Sequence, residues 1–188
     1  MKKIAIFGSG NGSNAKNIIN YFKLNKQIIV KLIVTNRAKS GVIEIAKKNK
    51  INSLVISKSK TESQILSELK KENISFIVLA GYLKKIPELI INNYQKKIIN
   101  IHPSLLPNYG GKGMYGLNVH KEVLNNKEIE TGITIHYVNE KYDEGKIVFQ
   151  AKCNISDCKT AKLISKKVRK LEHQFYPIII EKILKYGN

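Results

Sequence analysis

Lys2-Lys3-Ile4-Ala5-Ile6-Phe7-Gly8-Ser9-Gly10-Asn11-Gly12-Ser13-Asn14 joins a short β-branched apolar run to a glycine-rich turn and then to a segment with helical spacing. Similar apolar runs follow at Ile28–Val34, Leu54–Ile56, Phe76–Leu79 and Ile98–Ile101, separated by helix-like stretches near 14–24, 41–49, 61–72 and 84–93. Strand and helix periods that alternate in this way build βα units, whose parallel sheet is covered by helices on both faces. After Pro107 the pattern changes: Thr131–Val138 and Lys146–Asn154 alternate as half-exposed strands across a short polar loop, which predicts an antiparallel pair added to the sheet. Thr160 is placed to cap a long last helix with apolar positions Leu163, Ile164, Val168, Leu171, Phe175, Ile178 and Ile179, and a kink is expected at Pro177. No repeat or low-complexity linker interrupts the pattern, so a single α/β domain over residues 1–188 is expected.

Composition limits the function classes. A length of 188 residues suits one domain, no apolar run approaches membrane-spanning length, and only four apolar residues follow Met1-Lys2-Lys3 before the glycines begin. A cytoplasmic protein without membrane contact is the expectation. Cys153 and Cys158 lack a second pair for a four-thiolate zinc site and are read as free thiols in a reducing cytosol. The net charge of +19 raises the question of nucleic acid, yet Arg37 and Arg169 are the only arginines and the lysines spread along the whole chain. Bidentate phosphate recognition favours arginine. A solvated lysine surface is therefore the preferred reading, and no nucleic-acid partner is expected.

Gly8 to Asn14 follows the first strand and opens the first helix, where free N–H groups and the helix dipole attract an anion. A dinucleotide fingerprint fails at its third glycine position, which is Ser13, and Thr35-Asn36-Arg37 offers no acid for a ribose hydroxyl. No Gly-Lys-Ser/Thr follows to make a P-loop. A phosphomonoester site is preferred over a tight turn without ligand.

Asn100-Ile101-His102-Pro103-Ser104-Leu105-Leu106-Pro107 lies just past a predicted central strand, at the edge where open α/β sheets hold ligands. Side chains two residues apart on a strand point the same way, so Asn100 and His102 can reach one carbonyl. An oxyanion donor beside a proton shuttle is what acyl transfer to an amine requires. Asp143, in the loop Asn139–Gly145, would raise the His102 pKa above about 6.5 if it lay close, and so keep the ring protonated near neutrality. His120, His136 and His173 receive less weight, and no histidine pair has metal-ligand spacing with a carboxylate, so no metal is expected.

Gly10-Asn11-Gly12-Ser13-Asn14, Leu79-Ala80-Gly81-Tyr82, Asn100–Pro107, Thr131-Gly132 with His136, Asp143-x-Gly145 and Glu172-His173 with Tyr176-Pro177 resemble, in order and spacing, the phosphoribosylglycinamide formyltransferases across nearly the whole chain. The resemblance implies a three-layer, doubly wound, mostly parallel seven-stranded sheet. It also implies transfer of formyl from 10-formyltetrahydrofolate, as cosubstrate, to the amine of glycinamide ribonucleotide in purine synthesis. On this resemblance Asn100, His102 and Asp143 take the catalytic positions. The Gly10–Asn14 loop binds substrate, with Gly12, Ser13 and Asn14 on its phosphate, and Glu172 contacts the ribose. Leu83, Lys84, Lys85 and Ile86 line the folate pocket, which Asn100 also borders. Lys84 stands where many relatives have Arg, and Lys58 or Lys60 are the candidate stand-ins for an upstream Arg. The stretch Asn108–Leu117 is longer than in many relatives, and Asn118 replaces a histidine that some carry. A monomer or homodimer is expected. Methionyl-tRNA formyltransferase and formyltetrahydrofolate hydrolase share the catalytic half, but differ in the first loop and carry further domains.

Overall fold

A computed structural model describes residues 1–57 and 59–187. Lys58 therefore lies outside the described residues. Seven strands form one sheet in the order β3-β2-β1-β4-β5-β6-β7: β1 (Lys2–Phe7), β2 (Ile28–Thr35), β3 (Asn52–Val55), β4 (Phe76–Leu79), β5 (Ile98–His102), β6 (Glu130–Tyr137) and β7 (Ile147–Asn154). The helices are α1 (Ser13–Phe22), α2 (Gly41–Lys48), α3 (Glu62–Lys71), α4 (Glu88–Asn93), α5 (Leu117–Asn125) and α6 (Ala161–Tyr186). β1 pairs in parallel with β2 and β4, β2 pairs in parallel with β3, and β6 and β7 are antiparallel, as the sequence pattern predicts. The chain divides into two compact units, one of residues 1–99 with the stretch from Glu181 onward and one of Asn100–Ile180.

In the first unit the chain steps outward from β1 to β2 and β3, then returns to β4 on the other side of β1. Right-handed crossovers in opposite directions put α1 and α2 on one face and α3 and α4 on the other. Observed packing agrees, for α1 contacts α2 and α3 contacts α4. Between them, Ile4, Ala5, Ile6, Ile33, Val34, Ile77 and Val78 are closed to solvent. The reversal of strand order between β1 and β4 is the switch point at which sheets of this kind leave a crevice at their carboxyl ends. Both strands deliver glycines there, Gly8 and Gly10 after β1 and Gly81 after β4.

The helix expected near 84–93 starts only at Glu88, with Pro87 as its N-cap at φ −59° and ψ 143°. Proline disfavours helical geometry in the residue before it, so the helix cannot run back through Ile86, and residues 82–87 form an irregular segment. In contrast, α3 begins at Glu62, inside the stretch 61–72 read as helical, and is closed by a reciprocal capping box in which Thr61 Oγ1 accepts from Gln64 N and Gln64 Oε1 accepts from Thr61 N.

In the second unit Thr160 Oγ1 accepts the Leu163 N–H at 3.3 Å and caps α6, which runs through Pro177 as one helical element. Gly132 on β6 is forced by close approach, since a Cβ there would stand 2.0 Å from the Ala151 carbonyl oxygen on β7. Cys153 is half-buried and Cys158 buried, both as free thiols.

Candidate active site

β5 sets Asn100 and His102 on the same side of the strand, as alternation requires, and ends at His102. The chain then turns through a segment held by side chains of the hairpin. Thr134 Oγ1 donates to the Ser104 carbonyl at 2.7 Å and accepts from Leu106 N at 2.9 Å, while Gln150 Nε2 donates to the Leu106 carbonyl at 3.0 Å. Ser104 and Thr134 are fully buried. Polar groups satisfied inside a core fix one geometry, because any alternative would leave them unpaired.

Asp143 reaches the same place from the loop between β6 and β7. That loop is closed by Tyr137 N donating to the Lys146 carbonyl at 2.9 Å. Gly145 packs so tightly that a Cβ would fall 1.6 Å from the Tyr137 carbonyl oxygen. Ile135 pairs with Phe149 but His136 with Ile147, so the register shift leaves Val148 as an extra residue in β7 opposite the end of β6, the kind of irregularity that re-aims side chains beside functional sites. Asp143 itself sits at φ 58°, in the left-handed region that aspartate tolerates better than most residues.

Four side chains converge. Asp143 Oδ2 lies 3.5 Å from His102 Nδ1 and accepts the Gly111 N–H at 2.9 Å. Its Oδ1 lies 3.5 Å from His136 Nε2 and accepts from Asn100 Nδ2 at 3.4 Å. Asn100 Nδ2 also meets His136 Nε2 at 3.2 Å. Backbone carbonyls set the tautomers: His102 Nε2 donates to Tyr109 O at 2.7 Å and His136 Nδ1 donates to Tyr137 O at 2.8 Å. A carbonyl only accepts, so each of those ring atoms carries the hydrogen. In the neutral rings His102 Nδ1 and His136 Nε2 are left with lone pairs.

Charge follows from burial. His102 is 3% exposed, and that burial outweighs the Asp143 charge and the Tyr109 carbonyl, holding the imidazole below its ordinary 6.5. The expected rise above 6.5 is thereby corrected: Asp143 does push upward, but removal of the ring from water wins. For Asp143 burial works toward a higher pKa, yet the two imidazoles beside it and the Gly111 N–H together hold the carboxyl below 3.8. The resting site is a carboxylate beside a neutral imidazole whose basic atom, Nδ1, faces it.

In the first unit, Gly12 is the N-cap of α1 at φ 77°, with Ser13 exposed and Asn14 half-buried on the helix's first turn. The loop rests on the start of α2, where a Cβ on Gly12 would meet Ile45 at 2.6 Å and one on Gly41 would meet the Asn11 carbonyl oxygen at 2.8 Å. Gly10 differs: its φ is outside the left-handed region and a Cβ there would meet nothing within 4 Å. Ile86 is buried, Leu83 and Lys60 are half-buried, and Lys84 and Lys85 are exposed.

The structure thus brings Asn100, His102 and Asp143 together, and keeps Gly10 to Asn14 and Leu83 to Ile86 within the first unit. Glu172 lies half-buried on α6, and the phenol of Tyr176 is raised well above 10 first by its own burial and then by the Glu172 charge. His136 is the member that sequence reasoning underweights; its one signal is a place in the motif with Thr131-Gly132. His120, on α5, is also buried and is pushed down to about 4, chiefly by that burial. Tyr109 and Gly111, in the stretch Asn108–Leu117, supply backbone partners to His102 and Asp143. Among the described residues no group of three or more His, Cys, Asp or Glu side chains is arranged to hold a metal ion.

An amide, a carboxylate and two imidazoles thus gather beside the carboxyl end of β5 in a mostly parallel α/β sheet. The formyl transferase family matches residues 2–180. A phosphoribosylglycinamide formyltransferase of Bacillus subtilis is 36% identical over 100% of this chain and 97% of its own length. The chloroplastic phosphoribosylglycinamide formyltransferase of Arabidopsis thaliana is 40% identical over 95% of this chain, which spans 64% of that protein's length. The crystal structure of phosphoribosylglycinamide formyltransferase from Bacillus halodurans superposes with a TM-score of 0.89 at 33% identity, covering 100% of this chain and 97% of that one. This chain belongs to the phosphoribosylglycinamide formyltransferases within the formyl transferase family. Among the described residues no helix is long and apolar enough to cross a membrane.

Proposed function

We propose that the chain transfers the formyl group of 10-formyltetrahydrofolate to the amine of glycinamide ribonucleotide, forming formylglycinamide ribonucleotide and tetrahydrofolate. The observation that carries this reading is the convergence of Asn100, His102 and Asp143, whose polar atoms lie within 3.5 Å of one another along the chain Asn100–Asp143–His102. His102 Nδ1 takes the proton that the amine sheds as its nitrogen bonds the formyl carbon, and returns it to the folate nitrogen that departs. The Asp143 carboxylate stabilises the imidazolium formed in between. Asn100 holds its amide hydrogens in contacts of 3.2 and 3.4 Å, long enough that a developing oxyanion competes for them.

The phosphate end of the acceptor is assigned to Gly10, Asn11, Gly12, Ser13 and Asn14. Gly10 supports this: neither crowding nor backbone conformation within the chain calls for glycine there, whereas a ligand approaching the backbone does. Glu172 is assigned to the ribose. For the folate, Leu83 and Ile86 supply apolar surface, and the ammonium groups of Lys84, Lys85 and Lys60 suit carboxylates. A single formyltransferase domain over 1–188, cytoplasmic location, no nucleic-acid or membrane partner and a monomeric or homodimeric state complete the proposal. The family match from residue 2 to residue 180 supports the single domain.

The test compares glycinamide ribonucleotide with its dephosphorylated nucleoside as acceptor. A large rise in KM on loss of the phosphate, with the formyl still transferred, is expected. Equal KM values refute the loop's assignment.

A further inference from the structure

One buried hydroxyl of the first unit has no role in the chemistry above. Ser9 lies just past β1, between Gly8 and Gly10, and is 1% exposed. Its hydroxyl donates to Asn36 Oδ1, one residue past the end of β2, and accepts the Leu83 N–H at 3.0 Å, just past β4. Its own N–H donates to the Gly81 carbonyl at 3.0 Å. One residue therefore ties together the carboxyl ends of three adjacent strands, β2, β1 and β4, at the switch point where the strand order reverses.

The surroundings indicate what this junction serves. On either side of it the backbone opens outward, since a Cβ on Gly10 or on Gly81 would meet nothing within 4 Å. The Leu83 N–H cannot be satisfied by helix geometry, because α4 begins only at Glu88. Without the Ser9 oxygen, the irregular run from Leu83 to Ile86 loses the hydrogen bond that ties its first residue to the loop after β1.

We infer that Ser9 is a positioning residue that sets the Leu83–Ile86 segment against the Gly10–Asn14 loop, so that the folate-lining backbone and the phosphate loop are held in register by one hydroxyl. This rests on the proposed function for the identity of the two ligands. Asn36 orients the hydroxyl: with its hydrogen directed to Asn36 Oδ1, a lone pair is left for Leu83 N.

The experiment measures kcat, KM for each substrate and Tm for the wild type, Ser9→Ala, Ser9→Thr and Asn36→Ala, with tetrahydrofolate affinity measured separately by direct binding. Wild-type turnover on glycinamide ribonucleotide checks the functional reading; the variants check Ser9. Loss of one neutral hydrogen bond corresponds to about a tenfold change. Ser9→Ala is expected to raise KM for the formylated folate, and Kd for tetrahydrofolate, about tenfold, with kcat changed less than about threefold. Asn36→Ala, at a half-buried position, shifts both in the same direction by less, and a folded Ser9→Thr restores them. If Ser9→Ala does not fold, Asn36→Ala decides. A fall in Tm with folate KM and Kd unchanged overturns the inference, as does a fall in kcat at constant KM.

Discussion

Replacing Asp143 by Asn keeps the size and one acceptor oxygen of the side chain while removing its charge. In the structure the carboxylate faces His102 Nδ1, and during turnover that ring becomes an imidazolium. At 3.5 Å and an effective dielectric of about 20, unit charges attract by about 5 kcal/mol. Water reaches the partly exposed carboxylate and the new amide retains some hydrogen bonding, so about 3 to 4 kcal/mol of transition-state stabilisation is lost. At 1.36 kcal/mol per factor of ten, kcat falls by about a hundredfold to a thousandfold. Formyl transfer is followed at saturating substrates by the absorbance of the folate product, with KM for both substrates changing little. The acid limb moves as well. Asp143 raises the His102 pKa against the effect of burial, so Asp143→Asn lowers it further and active, neutral His102 persists to lower pH. Turnover within about threefold of wild type, or an acid limb displaced to higher pH, refutes the carboxylate–imidazole pairing.

Acidification tests His120 separately. Its pKa of about 4 against 6.5 unfolded means that the unfolded chain binds the proton first, so stability present above 6.5 is lost as pH falls toward 4, by about 3 kcal/mol. In urea unfolding His120→Gln narrows the wild-type loss between pH 7 and pH 4 by roughly that amount; parallel curves contradict it. Ser13→Asp places a negative charge on the first turn of α1 and is expected to raise KM for the phosphorylated acceptor at least about tenfold with little change in kcat. Gly145→Ala drives a methyl into the Tyr137 carbonyl, so it lowers Tm sharply or prevents folding, and a Tm within a few degrees of wild type contradicts the close approach.

Much of the fold is legible in the amino-acid order because local rules and tertiary packing agree along most of the chain. Phe76–Leu79 is a strand with the expected bounds, and the β6–β7 pair also falls where pattern and turn chemistry put it. The late start of α4 shows where apolar spacing misleads: Pro87 interrupts a run that otherwise reads as one helix. At the site, strand alternation alone aligns Asn100 with His102. His136 is harder to find, because an inward histidine on a strand looks the same in sequence whether it packs or functions. Only the register shift opposite Val148 and the return of Asp143 give it a role. The protonation of His102 escapes sequence reading for a similar reason, since the burial of its ring arises only in the folded packing, which no spacing rule locates.

The most direct measurement is a single turnover with carbon-13-labelled formyl donor, excess protein and an equal mixture of glycinamide ribonucleotide and initiator Met-tRNA, with products separated by mass spectrometry. The expected result is label in formylglycinamide ribonucleotide at a rate that His102→Ala lowers at least about a hundredfold. Label recovered in formate or on the tRNA, or an unchanged rate in His102→Ala, would contradict the assignment.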